Sequence, residues 1–586
     1  MILQALTQYY EDLLVLGQID RPGWNQAKVS YGLALDGDGQ LVRLLHLQQE
    51  AVRGKKTVLA PQDLLVPTPV KRSSGVLANF LCDNSGYLLG ADNKGKPART
   101  ADCFAAAKAL HLALLNGVDS LAARAIVRFF EQWDPAAASV HPALQEDWEE
   151  LLKGGNLVFW FGSAPATCDT AIAEAWNRHY AAGGDAGEPI RCLVTGRQGP
   201  LARLHPSIKG VAGAQSSGAS LVSFNTAAFC SYGHEQGANA PVCEAAAFAY
   251  TTALNTLLAD RQHLARVGDT TILCWAAGAA AAYQDCFAAS LYDDSYSEGD
   301  ILNALHTLAC GNPVDWQDSR LDPDTRFYVL GLAPNAARLS VRFFWQGHFG
   351  TLARNLTRHY ERLDIVRPAF DKFPTLSVWR LVQETVRRPA PGARPADPNP
   401  RLAGDLLLAV LNDTLYPATL LDGVTLRIRA ERNVSRGQAA ILKAYYMKYL
   451  EVYPADTPMK EALNVKLNEQ TTYLPYVLGR LFSVLEAVQR AANPGPGINT
   501  TIRDRYFNSA SATPATVFPL LINLAQKHLA KLDRGLATFY DKKITTLMGC
   551  IDQTLPTRMT LPEQSTFQLG YYFETQNRYQ SKKEEQ

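Results

Sequence analysis

The chain has 586 residues, with 57 Lys and Arg against 56 Asp and Glu, so its formal net charge is +1. That length exceeds the roughly 250–300 residues at which a single core stops growing, so two or more domains are expected. A hydrophobic share of 47% with 19% charged residues excludes a largely disordered chain, and the near-zero charge excludes a global pull toward nucleic acid or membrane.

The opening MILQALTQYYEDL reads as an amphipathic helix around residues 2–16, with Glu11 and Asp12 where a signal peptide needs an apolar stretch. In KVSYGLALDGDGQLVRLLHL two apolar runs meet at Asp36-Gly37-Asp38-Gly39, the signature of a β-hairpin. Further strands are expected at 156–162, 190–196 and 270–276, and a strand pair at 326–345 turning about Ala333-Pro334-Asn335-Ala336-Ala337. Helical patterns fill 99–131 and 241–265. The sharpest composition break is RRPAPGARPADPNPR at 387–401, where five prolines forbid regular structure and predict a linker or long surface loop.

Beyond it the pattern turns helical. Over 517–534, Phe518, Leu521, Ile522, Ala525, Leu529 and Leu532 share one side of the wheel, with Lys527, Lys531 and Arg534 opposite. Val477, Leu478, Leu481, Leu485 and Val488 form a second dry stripe, with Arg480 and Arg490 on its margins. The expected fold is α+β: a mixed α/β N-terminal domain with β-hairpins over 1–388, then an all-α helical-bundle C-terminal domain over 401–586, its bundle proper at about 459–586. The longest apolar run, Ile272 to Tyr283, is shorter than the ~20 residues of a membrane span, so a soluble, cytoplasmic protein with no membrane contact is expected.

Catalytic signatures do not emerge. The ten cysteines stand at least twelve residues apart without metal-finger spacing, which predicts buried, reduced thiols. Gly54-Lys55-Lys56 lacks the preceding glycine and the hydroxyl of a P-loop, and His234 in GHEQG has no second ligand at helical spacing. No catalytic residue, metal or cofactor is expected.

Three polar segments carry local positive charge. PVKRSSGVLANFLCDNSGYLLG (69–90) sets Lys71 and Arg72 against Ser73 and Ser74, followed by Asn79, Phe80, Asn84 and Tyr87; across 69–99 five basic residues face two acidic ones. LHPSIKGVAGAQSSGASLVSFN (204–225) places Lys209, Gln215, Ser216, Ser217 and Asn225 among glycines. NPGPGINTTIRDRYFNSASATPATVFP (493–519) carries Arg503 and Arg505, and 501–550 holds seven basic residues against three acidic. Glycine lets backbone approach a ligand closely, and Ser, Asn and Gln suit phosphate oxygens and base edges. The same compositions suit solvated turns, and Phe80 and Tyr87 suit core anchors as well as stacking platforms, so both readings stay open.

MILQALTQYYEDL, KVSYGLALD, PVKRSSGVLANFLCDNSGYLLG, GAQSSGASLVSFNTAAFCSYGHEQGANAPV and GRLFSVLEAVQRA with INTTIRDRYFNSASATPATVFPLL, five blocks in order over nearly the whole chain, resemble the large subunit of the type I-C CRISPR Cascade complex. The resemblance implies a non-catalytic subunit of an RNA-guided antiviral surveillance complex. Pairing with a guide RNA reads the target, while this subunit reads the short protospacer-adjacent motif (PAM) in double-stranded DNA and starts unwinding toward an R-loop. Under it Lys71, Arg72, Ser73 and Ser74 hold phosphates, Asn79 probes base edges, Asn84 meets DNA, and Phe80 wedges beside the PAM. Lys209, Gln215, Ser216, Ser217 and Asn225 contact DNA or the guide's 5′ handle, and Arg480, Arg503, Arg505, Lys527, Lys531 and Arg534 track a strand.

Implied partners are the guide RNA, target double-stranded DNA, the backbone and guide-processing subunits, and a helicase-nuclease recruited after unwinding. A small subunit made by internal translation from Met447 or Met459 is also implied. The alternatives are a structural scaffold without direct PAM readout and a nuclease with an unrecognised site.

Overall fold

The computed structural model describes the protein except residues 20, 54–55, 71–74, 183–188, 292–297, 374, 389–395, 496–499, 553 and 585–586. The chain forms two compact units, Met1–Pro206 with Val222–Ala253 and Ser207–Leu221 with Leu254–Gln586.

In the first unit, α1 (Ile2–Val15) buries Leu6, Tyr9, Tyr10 and Leu13, as its apolar spacing requires. The expected hairpin follows as β1 (Trp24–Leu35) and β2 (Leu41–His46). At its turn Asp36 Oδ1 accepts the N–H groups of Asp38 and Gln40 at 3.0 and 2.8 Å. Gly39 holds φ +80°, and a Cβ there would lie 2.6 Å from that of Arg128. β3 (Gln48–Arg53), β4 (Lys56–Pro67), β5 (Cys82–Asp83), β6 (Asn156–Phe161) and β7 (Ala164–Pro165) complete a sheet of order β3-β4-β1-β6-β5, with β2 on β1 and β7 on β6.

Because β1 and β6 run parallel, a crossover must join them; α2 (Ser85–Leu88), α3 (Pro97–Leu115), α4 (Leu121–Gln132) and α5 (Trp148–Leu152) lie in that connection. The helical pattern over 99–131 divides before α4, where Gly117 adopts φ +80° and Ser120 Oγ accepts the N–H of Ala123 as the N-cap. Leu33, Phe159, Phe129 and Phe130 meet in the core with Trp176 of α6 (Thr170–Ala182). Of the strand expected at 190–196, β8 (Ile190–Arg191) alone pairs, with β9 (Gln198–Gly199); from Cys192 the chain turns, its carbonyl accepting the N–H of Gly196 at 2.8 Å. α7 (Glu244–Ala259) is the helix expected within 241–265.

The second unit is built on an antiparallel sheet of order β10-β11-β14-β15, from β10 (Ala265–Val267), β11 (Thr270–Ala276), β14 (Arg326–Asn335) and β15 (Arg338–His348). β12 (Val314–Trp316) and β13 (Ser319–Leu321) pair separately. β11 falls within the strand expected at 270–276 and is buried throughout, and β14 and β15 make the hairpin expected at 326–345. Helices α8 (Ala281–Leu291), α9 (Glu298–Ala309), α10 (Phe349–Leu363), α11 (Val378–Gln383), α12 (Leu402–Asn412), α13 (Ala418–Glu431) and α14 (Arg436–Val452) surround it in sequence. α15 (Leu474–Ala492), α16 (Ile502–Ala512), α17 (Pro514–Leu529), α18 (Arg534–Gly549) and α19 (Leu561–Glu584) follow.

One hydrophobic core runs from Val267 of β10 to Phe573 of α19, so residues on both sides of the proline-rich segment share it. The helix expected over 517–534 ends at Leu529, and Asp533 then caps α18, its Oδ1 accepting the N–H of Leu536 at 2.9 Å. α15 and α19 cross closely enough that a Cβ on Gly479 would lie 2.0 Å from the Phe567 carbonyl oxygen, and one on Gly570 2.2 Å from that of Tyr476. No described helix is long and apolar enough to cross a membrane. All ten cysteines are free; six are buried, while Cys168 and Cys310 are exposed, correcting the expectation that all would be buried.

Candidate nucleic-acid surfaces

The segment 69–90 is held from beneath by the carboxylate of Asp83, 1% exposed. Its Oδ2 accepts the N–H of Asn79 at 2.9 Å and its Oδ1 the N–H of Asn84 at 2.8 Å. Asn79 Oδ1 accepts the N–H of Val70 at 2.9 Å, and Val70 and Leu77 are exposed. Lys71, Arg72, Ser73 and Ser74 lie outside the described residues.

Two readings of this segment are corrected. Phe80 is 1% exposed, stacked on Trp176 at 5.4 Å and tilted against His111, so the open ring that a wedge needs is not presented. Asn84 caps α2, its Oδ1 accepting the N–H of Gly86 at 3.1 Å. Tyr87 is buried as well. Leu81, at φ 61°, donates its N–H to His111 Nε2 at 2.9 Å, while Nδ1 faces the Ala107 carbonyl at 2.7 Å. That pairing fixes a neutral ring protonated at Nδ1, and burial pushes its pKa down to about 4.

The 207–219 loop is closed differently. Ile208 bridges Ala219, the Lys209 N–H donates to Asn255 Oδ1 at 2.9 Å, and the Ala212 N–H donates to Thr271 Oγ1 at 3.1 Å. Gly218 holds φ +100°, where a Cβ would meet that of Ser207 at 2.8 Å. On this fixed backbone Lys209, Gln215, Ser216 and Ser217 are exposed. Asn225 is exposed but belongs to the first unit.

At the C-terminal end the basic residues separate into two groups. Arg505, Lys527, Lys531 and Arg534 are exposed, with Lys542 and the half-exposed ring of Phe539 on α18. Arg480 is 7% exposed and donates from Nε to Glu574 of α19 at 3.0 Å, which corrects its reading as a strand contact: α15 is buried on every side from Pro475 to Val488. Arg503 is half-buried, 3.7 Å from Glu486, whose other oxygen accepts the Tyr571 hydroxyl at 2.6 Å.

Some arrangements lie beyond sequence spacing. His263 is clamped between Asp260 and Asp285 at 2.5 and 2.6 Å; burial works against its charge, but the two carboxylates outweigh it and raise its pKa. Burial likewise pushes the Cys192 thiol up, while N–H groups of Cys243, Thr195 and Val194 converge on its sulfur and bring it down to about 7. Cys243 is 51 positions away, so no motif flags the pair. Among the described residues no group of three or more His, Cys, Asp or Glu side chains is arranged to hold a metal.

Exposed basic and hydroxyl-bearing side chains thus lie on the 207–219 loop and, at the C-terminal end, on α16 to α18. The family described as CRISPR-associated protein (Cas_Csd1) matches residues 6–579, and the chain belongs to that family. No curated protein matches it.

Proposed function

We propose that the protein is the non-catalytic large subunit of a type I-C Cascade complex, in which it recognises the PAM in double-stranded DNA, starts unwinding and helps recruit a helicase-nuclease. The observation that carries this reading is the family match over residues 6–579. The 207–219 loop supports it, because fixed backbone with exposed Lys209, Gln215, Ser216 and Ser217 binds phosphates and base edges without a large ordering penalty. In this reading Asn79 probes base edges, from a position where its Oδ1 accepts the Val70 N–H.

The guide RNA, target duplex and other Cascade subunits are the partners, in a cytoplasmic setting. For a separate small subunit, Met459 is the better start: both starts keep α15 to α19 whole, but Met447 begins inside α14 and would carry a fragment of it, whereas Met459 lies beyond that helix. A species beginning at Met459 is expected in the mass spectrum of the purified complex. The main test compares binding to duplexes with correct and scrambled PAM. Lys71→Ala/Arg72→Ala is expected to weaken binding and flatten its salt slope by about two units, and Asn79→Ala to reduce discrimination. Unchanged discrimination and slope in both would reject the reading.

A further inference from the structure

In the second unit a cavity of about 540 Å³ opens between the loop after α10, α11, the N-terminus of α14 and one side of α19. Its volume suits one drug-sized or nucleotide-sized ligand. Two aromatic residues lining it are exposed, Phe370 at 85% and Trp379 at 41%, and so offer ring faces to a ligand. Pro368, Leu376 and Val434 add apolar wall, and several further lining groups are polar. Gln383 Nε2 is buried with no hydrogen-bond partner among the described residues. Next to it in sequence, Glu384 is fixed in place: its Oε2 accepts the Ser435 hydroxyl at 2.7 Å, and a Cβ on Gly437 would lie 2.6 Å from its Oε1. Arg388, half-exposed and 3.8 Å from Glu384, brings a cation to the same cavity.

An apolar anchor from another protein would leave the Gln383 amide N–H without a partner, at about 1–3 kcal/mol. A nucleobase would not: its edge offers acceptors and donors side by side, its faces stack on indole, and its phosphate suits a guanidinium. Burial raises the pKa of Glu384 despite the Ser435 hydroxyl and Arg388, which eases its meeting with a base edge.

We propose that this cavity is a nucleotide pocket: it takes one unstacked base of a single-stranded nucleic acid, with the ring on Trp379, the base edge on Gln383 and Glu384, and the phosphate on Arg388. The site lies outside the segments assigned to duplex reading, so it stands or falls separately from that assignment.

The test uses the full-length protein and single-stranded oligodeoxynucleotides carrying one 2-aminopurine, read by anisotropy and by 2-aminopurine fluorescence. Binding is expected to change the fluorescence, and Trp379→Ala to weaken binding by about 5- to 150-fold, with Trp379→Phe keeping most of the affinity. Gln383→Leu is expected to reorder the preference among dA, dC, dG and dT homo-oligomers, and Arg388→Ala to flatten the salt slope by about one unit. The proposal is overturned if oligonucleotides bind the wild-type protein without a fluorescence change. It is equally overturned if Trp379→Ala and Gln383→Leu melt like wild type and keep every affinity, or if they lose a Cascade subunit while oligonucleotide binding is untouched.

Discussion

Truncating Arg480 leaves the buried carboxylate of Glu574 with Lys543 Nζ at 3.4 Å as its remaining ion-pair partner among the described residues. Breaking a buried pair costs about 3–5 kcal/mol because the surviving charge stays desolvated. Arg480→Ala is expected at the lower end of that range, since Lys543 persists, and it reads out as a lower urea midpoint at unchanged slope. Arg480→Met with Glu574→Met should recover most of the loss, because no charge is then stranded. The same pair explains what could be read at this scale. The charge at 480 and the ring at 80 were visible in the sequence, and so was the dry stripe at whose margin Arg480 stands. Their partners, Glu574 and Trp176, come from the fold, 94 and 96 positions away, and decide whether each side chain faces ligand or core. Lys209, Gln215, Ser216 and Ser217 stayed exposed because their loop closes through backbone bridges and side-chain anchors beneath them, leaving its polar tip outward.

At the scale of elements, the crossing of α15 and α19 sets two effects of glycine replacement against each other. Helix propensity alone favours Gly→Ala by up to about 1 kcal/mol. At Gly479 the new Cβ would stand 2.0 Å from a backbone carbonyl that cannot swing aside, and overpacking of this kind costs about 1–3 kcal/mol or more. Gly479→Ala and Gly570→Ala should therefore each lower the melting temperature, whereas Gly549→Ala, with nothing within 4 Å of its Cβ, should leave it level or slightly higher. Equal responses at all three positions would show that the helices are not this close. Elements set by local chemistry were legible: the Asp36–Gly39 hairpin, β11, and β14 with β15 follow from turn residues and β-branched or aromatic runs. The break between α17 and α18 was not, because Leu532 keeps the apolar spacing although α17 has already ended at Leu529, and Asp533 starts α18 with its own side chain.

For the whole chain, near-neutral charge means that stability depends on pH through a few placed groups instead of through general repulsion. The parallel pairing of β1 with β6 and the core shared across the proline-rich segment are products of long-range burial, which composition and periodicity cannot register. They are also what creates buried histidines. His111 in the first unit is pushed down to about 4 by burial, and His359 in the second to about 3 by burial and the adjacent Arg362. Unfolded, each titrates near 6.5 and takes up a proton that the folded ring refuses. Their stabilisation is complete above 6.5 and is lost as pH falls toward those folded values, on the order of 3 kcal/mol for His111. His263 works in the opposite sense: clamped as a cation by Asp260 and Asp285, it stabilises fully below 6.5 and loses that contribution as pH rises through its raised folded value. Stability should thus peak near neutrality, falling on the acid side through His111 and His359 and on the mildly alkaline side through His263. Urea midpoints from pH 4.5 to 8.5 test this. His263→Gln should flatten the alkaline limb and leave the acid one, and an alkaline limb that survives this substitution unchanged would place the responsible group elsewhere.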